Sequence, residues 1–167
     1  RLNGEGMPIR IVNAGVSGDT TAGGLARLDW FLRQDPDVLV VCLGGNDGLR
    51  GLPLETTEAH LAAIVDRAKA AGARVLLVGL KLPPSHGEEY TARFEAIYPA
   101  LARSKGVRLV PFLLDGVGGD PALNLADGIH PNAAGQERLA ENVLPHLRDV
   151  IADLGESPDR RNREPHA

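Results

Sequence analysis

The sequence predicts an α/β domain of three layers, in which a mostly parallel sheet lies between two layers of helices. Three observations predict this fold. Runs of apolar, β-branched residues alternate along the chain with longer stretches of helical periodicity. The two middle runs are apolar on both faces, as is typical of parallel strands covered on both sides. Single glycines, Gly72 and Gly106, follow two helical stretches, where helix C-caps favour glycine.

The predicted elements alternate in chain order. Their β-branched composition predicts strands at 9–14, 37–45, 73–82 and 107–112. Apolar periodicity predicts helices at about 20–34, 56–71, 88–105 and 133–154. Strands and helices that alternate at this spacing form right-handed βαβ units. We therefore expect one domain over residues 1–154, followed by a disordered polar tail over residues 155–167.

The composition limits the classes of partner. The chain has 167 residues, of which 43% are hydrophobic and 24% charged, and its net charge is −4. A negative balance argues against a nucleic-acid partner, and no apolar run approaches the roughly 18 residues of a stable membrane insertion. The single Cys42 excludes a disulfide framework and a cysteine metal cluster. The compartment, whether cytoplasmic, periplasmic or secreted, stays open.

Polar or glycine-rich loops follow all four predicted strands. They read "GVSGDTTAGG", "GGNDGLRG", "PPSHGEEY" and, further beyond the fourth strand, "DGIHP". Ligands of such sheets bind beyond the carboxyl ends of the strands, which meet at one edge. The sequence therefore predicts an active site at this edge.

The last of these loops places Asp127 three residues before His130. This spacing lets the carboxylate accept a hydrogen bond from one imidazole nitrogen, so that the other nitrogen can take a proton from a nucleophile. The alternative is a turn aspartate that caps backbone amides beside a surface histidine. The spacing alone leaves both interpretations open.

Two further loops carry hydrogen-bond donors. Asn46 in "LGGNDG" offers a side-chain amide just past a buried strand, and such an amide can stabilise an oxyanion. A strand-ending turn is the alternative there. Gly18 in "SGDTTAGG" offers a backbone amide where a strand turns into a helix, and Asp19 or Thr20 is expected to cap that helix.

These pieces, in this order, resemble the GDSL or SGNH hydrolases, and most of all their bacterial arylesterase, acyl-CoA thioesterase and lysophospholipase branch. The matching residues are Gly18 in "VSGDT", Asn46 in "GGNDGLRG", and Asp127 with His130 in "DGIHPN". "GLARL" and "FEAIYPALA" also look like that branch, and the similarity extends to about Asp153. The resemblance implies a flavodoxin-like fold.

The resemblance also implies a reaction. A small-molecule ester or thioester would be hydrolysed through an acyl-enzyme on a serine, with no metal or organic cofactor. Asp127 would orient His130, the general base, while Gly18 and Asn46 would form the oxyanion hole. Two apolar loops predict a pocket for an acyl or aryl group. The candidate substrate-binding residues there are Gly45, Leu49, Leu82 and Pro83.

The Gly-Asp-Ser-Leu element that gives the family its name is absent from these residues. "SGDTTAG" mimics it, but its position before "GGND" is that of the family's glycine block, so we reject Ser17 and Thr20 as nucleophiles. We expect the serine upstream of Arg1, on a segment of the same protein whose strand would lie centrally in the sheet. Without that strand, we expect the chain to fold poorly.

Two other functions stay open on the sequence alone. A non-catalytic relative would bind an ester or sugar ligand in the same pocket without converting it. A flavodoxin-like signalling or nucleotide-binding domain is favoured by the fold but not by the loops. These contain neither a phosphate-binding glycine motif before a lysine nor an acidic cluster for magnesium.

Overall fold

A three-stranded parallel sheet carries helices on both of its faces. A computed structural model describes residues 2–7 and 9–155. The strands, in the spatial order β1-β2-β3, are β1 (Val38–Val41), β2 (Arg74–Val78) and β3 (Arg108–Val110). The α-helices are α1 (Thr21–Leu32), α2 (Gly45–Leu49), α3 (Leu54–Ala70), α4 (Glu88–Lys105) and α5 (Ala133–Gly155). The predicted α/β fold is confirmed.

The central strand β2 divides the core into two layers. Its side chains alternate between the two faces of the sheet, as the pleat of a strand requires. Val75 and Leu77 pack with α3 and α4, whereas Leu76 and Val78 pack with α5. All four side chains are buried, which explains why this run is apolar on both faces. The three-layer arrangement places the carboxyl ends of β1, β2 and β3 at one edge.

The helices agree with the sequence patterns wherever the periodicity is long. Helix α4 spans Glu88–Lys105, the predicted range, and Gly106 ends it in the left-handed conformation with φ of +60°. Thr20 caps α1, because its hydroxyl accepts the N–H of Gly23. The short helix α2 was not predicted, since five residues rich in glycine, asparagine and aspartate show no apolar periodicity.

The strand predicted at 9–14 is wrong. These residues are irregular, and Ile11 and Val12 are exposed. A strand exists only where its backbone N–H and C=O groups pair with a neighbour, and no described strand lies beside this segment. The same holds for one edge of β1, which pairs only with β2 among the described residues and leaves Val40 exposed.

The other boundaries differ less. The predicted strands 37–45, 73–82 and 107–112 are shorter in the structure, because each run continues into the loop at its carboxyl end. The predicted tail lies outside the described residues, apart from Gly155, which ends α5. Within residues 2–7 and 9–155, no helix combines the length and the apolar character that crossing a bilayer requires.

Candidate active site

Asp127 and His130 are hydrogen-bonded to each other in the loop between β3 and α5. His130 Nδ1 lies 2.7 Å from Asp127 Oδ2. The other carboxylate oxygen, Oδ1, accepts the backbone N–H groups of Ile129 and His130, each at 2.9 Å. Both interpretations of the spacing therefore apply: one oxygen of Asp127 caps the turn, and the other holds the imidazole.

These hydrogen bonds lower the pKa of Asp127 to about 2. The largest cause is the backbone N–H of His130, followed by the backbone N–H of Ile129 and by the imidazole. An ionised carboxylate has no hydrogen to donate, so Nδ1 of His130 must be the donor. In the neutral ring Nε2 is then an acceptor, which is the tautomer that a general base requires. The His130 side chain is 71% exposed and thus open to a reacting group.

The loop that carries this pair is fixed at both of its ends. The Leu125 N–H donates to the carbonyl of His130 at 2.7 Å. The Asn132 side chain donates to a loop carbonyl at 2.8 Å, and its oxygen accepts the Gly135 N–H in the first turn of α5. Asn132 therefore caps α5 and closes the loop, so the pair is positioned by the start of that helix.

Gly18 lies in the loop before α1 and Asn46 lies in α2, and these two segments are hydrogen-bonded to each other. Asn46 Nδ2 donates to the carbonyl of Asp19 at 2.8 Å, and Arg50 Nη2 donates to the carbonyl of Gly18 at 3.0 Å. Gly18 has a φ of +75°, which disfavours any larger residue. In the part of the chain that the structure describes, the Gly18 N–H and the second hydrogen of the Asn46 amide have no acceptor. Both are available as donors.

Helix α2 holds Asn46, and a close contact with α4 fixes where α2 begins. Gly44 precedes α2 with φ of +106°, and a Cβ there would lie 2.6 Å from the hydroxyl of Tyr98. That hydroxyl donates to the carbonyl of Leu43 at 3.0 Å. Burial raises the pKa of Tyr98, so its phenol is a neutral donor. The backbone just before Asn46 is thus anchored on a buried side chain.

Arg27 in α1 is a positioning contact that the sequence reasoning missed. Its Nε and Nη2 both donate to Asp19 Oδ2, at 2.8 and 2.6 Å. Its Nη1 donates to the carbonyl of Ala14 at 2.5 Å. Arg27 therefore ties the loop that contains Gly18 to α1. "GLARL" contains this arginine, but nothing in the sequence identifies its partners.

The predicted substrate-binding residues lie at different depths. Leu49, at the end of α2, and Pro83, after β2, are exposed, and Gly45 at the start of α2 is half-buried. Leu82 is only 7% exposed, and it packs beneath Gly48, where a Cβ would lie 2.6 Å from the Leu82 side chain. Leu82 therefore supports α2 from the core, and the substrate contacts of all four residues stay a prediction.

The predicted site consists of the Asp127–His130 pair and of the two donors, Gly18 and Asn46, and the structure does not join these two parts by hydrogen bonds. Within residues 2–7 and 9–155, no hydrogen bond links Asp127 or His130 to Gly18 or Asn46. Over the same residues, no group of three or more histidine, cysteine, aspartate or glutamate side chains is placed to hold a metal ion.

Nor does the described part of the chain bring a hydroxyl nucleophile to His130, the predicted base. None of its serine or threonine hydroxyl groups is hydrogen-bonded to His130. Ser17 is exposed, and the Thr20 hydroxyl is engaged as the cap of α1. The described residues thus contain a hydrogen-bonded Asp127–His130 pair and two unpaired N–H donors, at Gly18 and Asn46, but no hydroxyl group bonded to the imidazole.

The chain is similar in sequence to proteins that are named as esterases or thioesterases. The chain is 49% identical over 152 residues to esterase TesA of Pseudomonas aeruginosa, which covers 90% of this chain and 76% of that protein. It is 43% identical over 142 residues to thioesterase 1/protease 1/lysophospholipase L1 of Escherichia coli, covering 84% and 68%.

Solved structures agree in fold. A crystal structure of TesA superposes with a TM-score of 0.86 at 49% identity, covering 89% of this chain and 83% of that one. The psychrotrophic esterase EstA from Pseudoalteromonas sp., in a structure inhibited by monoethylphosphonate, gives a TM-score of 0.86 at 30% identity, covering 90% and 83%. Residues 1–138 match the model of one family. The chain belongs to the GDSL-like lipase/acylhydrolase family.

Proposed function

We propose that the protein hydrolyses carboxylic esters through an acyl-enzyme on a serine. The substrates are aryl or short- to medium-chain acyl esters, and the class extends to acyl thioesters and lysophospholipids. Relatives named esterase, arylesterase and thioesterase/lysophospholipase support ester hydrolysis. The observation that carries the mechanism is the 2.7 Å hydrogen bond between Asp127 and His130, because it leaves the other ring nitrogen of an exposed imidazole free to accept a proton.

His130 acts first as base and then as acid. Nε2 takes the serine proton while the serine oxygen attacks the carbonyl carbon, and the resulting imidazolium then protonates the departing alcohol or thiol. A water molecule attacks the acyl-enzyme in the same way and releases the carboxylic acid. Asp127, held ionised by its two backbone N–H bonds, keeps the imidazole in one tautomer and stabilises its charged form.

Gly18 and Asn46 hold the oxyanion of the tetrahedral intermediate. The Gly18 N–H and the second hydrogen of the Asn46 amide are the donors, together with the backbone N–H of the serine itself. The first hydrogen of the Asn46 amide bonds to Asp19 at 2.8 Å, and this bond fixes the direction of the second hydrogen. Donors that are oriented before the reaction need no reorganisation when the charge develops.

The serine lies outside residues 1–167 in this proposal. Two features of the described residues support it: no hydroxyl group is bonded to His130, and one edge of β1 is unpaired. A strand that precedes Arg1 and pairs with this edge would also cover Val40 and give the segment at 9–14 a ladder partner. The turn after that strand would present its serine at the carboxyl edge of the sheet.

Hydrolysis of a series of p-nitrophenyl esters, from acetate to octanoate, and of an acyl-CoA thioester tests the proposed function on the product of the whole gene. His130→Ala should lower kcat about 10⁴- to 10⁶-fold, the usual loss when the base of a serine hydrolase is removed. His146→Ala, in the middle of α5, is the matched control and should keep the wild-type rate.

A His130→Ala variant that is folded and within tenfold of the wild-type rate would contradict the mechanism. A whole-gene product that binds the esters saturably but hydrolyses none would instead identify a non-catalytic ligand-binding relative.

A further inference from the structure

A buried carboxylate lies next to Asn46. Asp47 is 2% exposed, whereas its sequence neighbour Asn46 is only half-buried. Asp47 Oδ2 accepts the backbone N–H of Thr21 at 2.9 Å, and Oδ1 accepts the hydroxyl of the same residue at 2.5 Å. One threonine, 26 positions away in the sequence, thus provides both hydrogen bonds of this side chain.

The location of Thr21 explains why a carboxylate is tolerated there. Burying a carboxylate is costly unless hydrogen bonds replace its water. Thr21 is the first residue of α1, where backbone N–H groups have no partner within the helix and the helix dipole favours negative charge. The Thr21 hydroxyl also lies 3.2 Å from His60 Nδ1. Since this hydroxyl gives its hydrogen to Asp47, it must accept the hydrogen of His60.

Three hydrogen bonds made by Asn46 and Asp47 therefore join α2 to the start of α1 and to the loop that contains Gly18. Asp47 binds Thr21, and Asn46 binds the carbonyl of Asp19. Helix α2 has only five residues, so few of its own hydrogen bonds resist a shift. The distance between the Gly18 N–H and the Asn46 amide consequently depends on these links to the start of α1.

We propose that Asp47 and Thr21 are positioning residues of the oxyanion hole. They hold α2 against the start of α1, so that the donors of Gly18 and Asn46 converge on one oxygen atom. This role rests on the proposed function, because it needs an oxyanion to bind. The links act on the geometry of the donors and contact no substrate. Their loss should therefore affect transition-state stabilisation more than substrate binding.

Variants of Thr21 separate this role from a purely structural one. Thr21→Val keeps the shape and the backbone N–H but removes the hydroxyl, whereas Thr21→Ser keeps both hydrogen bonds to Asp47. Thr57→Val is the matched control: Thr57 is a threonine of α3 with 1% exposure, and its hydroxyl donates to the carbonyl of Pro53. All variants are made in the whole-gene product and assayed for kcat, KM and thermal unfolding.

Thr21→Val should lower kcat about 10- to 100-fold, the range expected when a reacting group is displaced by up to about 1 Å. KM should change less than about threefold. Thr21→Ser should keep most of the wild-type kcat. Thr57→Val should lower the Tm by about as much as Thr21→Val does, but it should keep the wild-type kcat. Asp47→Asn should lower kcat as Thr21→Val does. If Asp47→Asn does not fold, the comparison of Thr21→Val with Thr21→Ser still tests the proposal.

Suppose that the wild type is active but that Thr21→Val leaves kcat unchanged, or that Thr57→Val lowers kcat as much as Thr21→Val does. Either result would overturn the positioning role and leave the proposed function standing. A wild-type product that hydrolyses no ester would overturn the proposed function, and the positioning role with it.

Discussion

Replacing Asp127 by asparagine should change the tautomer of His130 and leave the loop intact. In the structure Oδ1 accepts two backbone N–H groups at 2.9 Å, and Oδ2 faces the imidazole at 2.7 Å. An asparagine can keep the backbone bonds only through its single oxygen, so its NH₂ group must face Nδ1. Nδ1 then has to accept a hydrogen bond, and the ring hydrogen moves to Nε2.

An imidazole with hydrogen on Nε2 cannot take the serine proton. Asp127→Asn should therefore lower kcat about 10⁴-fold, which corresponds to about 5.4 kcal/mol at 1.36 kcal/mol per tenfold change. Steady-state hydrolysis of p-nitrophenyl butyrate by the whole-gene product measures this loss of kcat. Titration with a fluorophosphonate gives the concentration of active sites.

The matched control is Asp120→Asn. Asp120 Oδ1 accepts the backbone N–H of Ala122 at 2.8 Å, which is the same kind of turn cap without an imidazole. Asp120→Asn should keep the wild-type kcat. If folded Asp127→Asn loses less than tenfold, or if both variants lose equally, the tautomer argument is refuted.

Three further predictions concern the donors, the base and the fold. Asn46→Ala should lower kcat about 10²- to 10³-fold and KM much less; an unchanged kcat would remove Asn46 from the reaction. kcat/KM should rise with pH, because the imidazole of His130 must be neutral to accept the serine proton, while Asp127, whose pKa is about 2, stays ionised. A flat profile with chemistry rate-limiting would argue against His130. Gly44→Ala should destabilise the fold by at least about 2 kcal/mol in urea unfolding, because its φ is +106° and its Cβ would meet Tyr98; unchanged stability would show that the contact relaxes freely.

The ionisation of Asp127 also makes the stability of the fold depend on pH. Its folded pKa lies below the unfolded value, so its hydrogen bonds stabilise the fold above pH of about 4. That contribution is lost as the pH falls towards 2.

Local patterns were predictable from the sequence because their partners are close in the chain. Three residues of separation let the carboxylate of Asp127 reach the imidazole of His130, although the spacing alone left a simple turn cap open as the alternative. The 18 residues of α4 follow from apolar periodicity and a terminal glycine. The helical boundaries were correct where capping residues mark them, as at Thr20.

The features that the sequence did not reveal depend on distant partners. The run at 9–14 has the composition of a strand, but composition does not provide the neighbour with which a strand must pair. Asp47 reads as an ordinary turn residue, and only its contact with Thr21 shows that it is buried. For the same reason the sequence placed Leu82 in a substrate loop, where the structure packs it beneath α2.

In the proposed mechanism, Asp127 and His130 activate a serine that lies outside residues 1–167. The most direct measurement is peptide mapping by mass spectrometry after the whole-gene product reacts with a fluorophosphonate probe, which marks an activated serine covalently. We expect one adduct, on a serine that precedes Arg1, and no adduct in a His130→Ala variant or in the 167-residue chain alone. An adduct on Ser17 or Thr20 would contradict this mechanism.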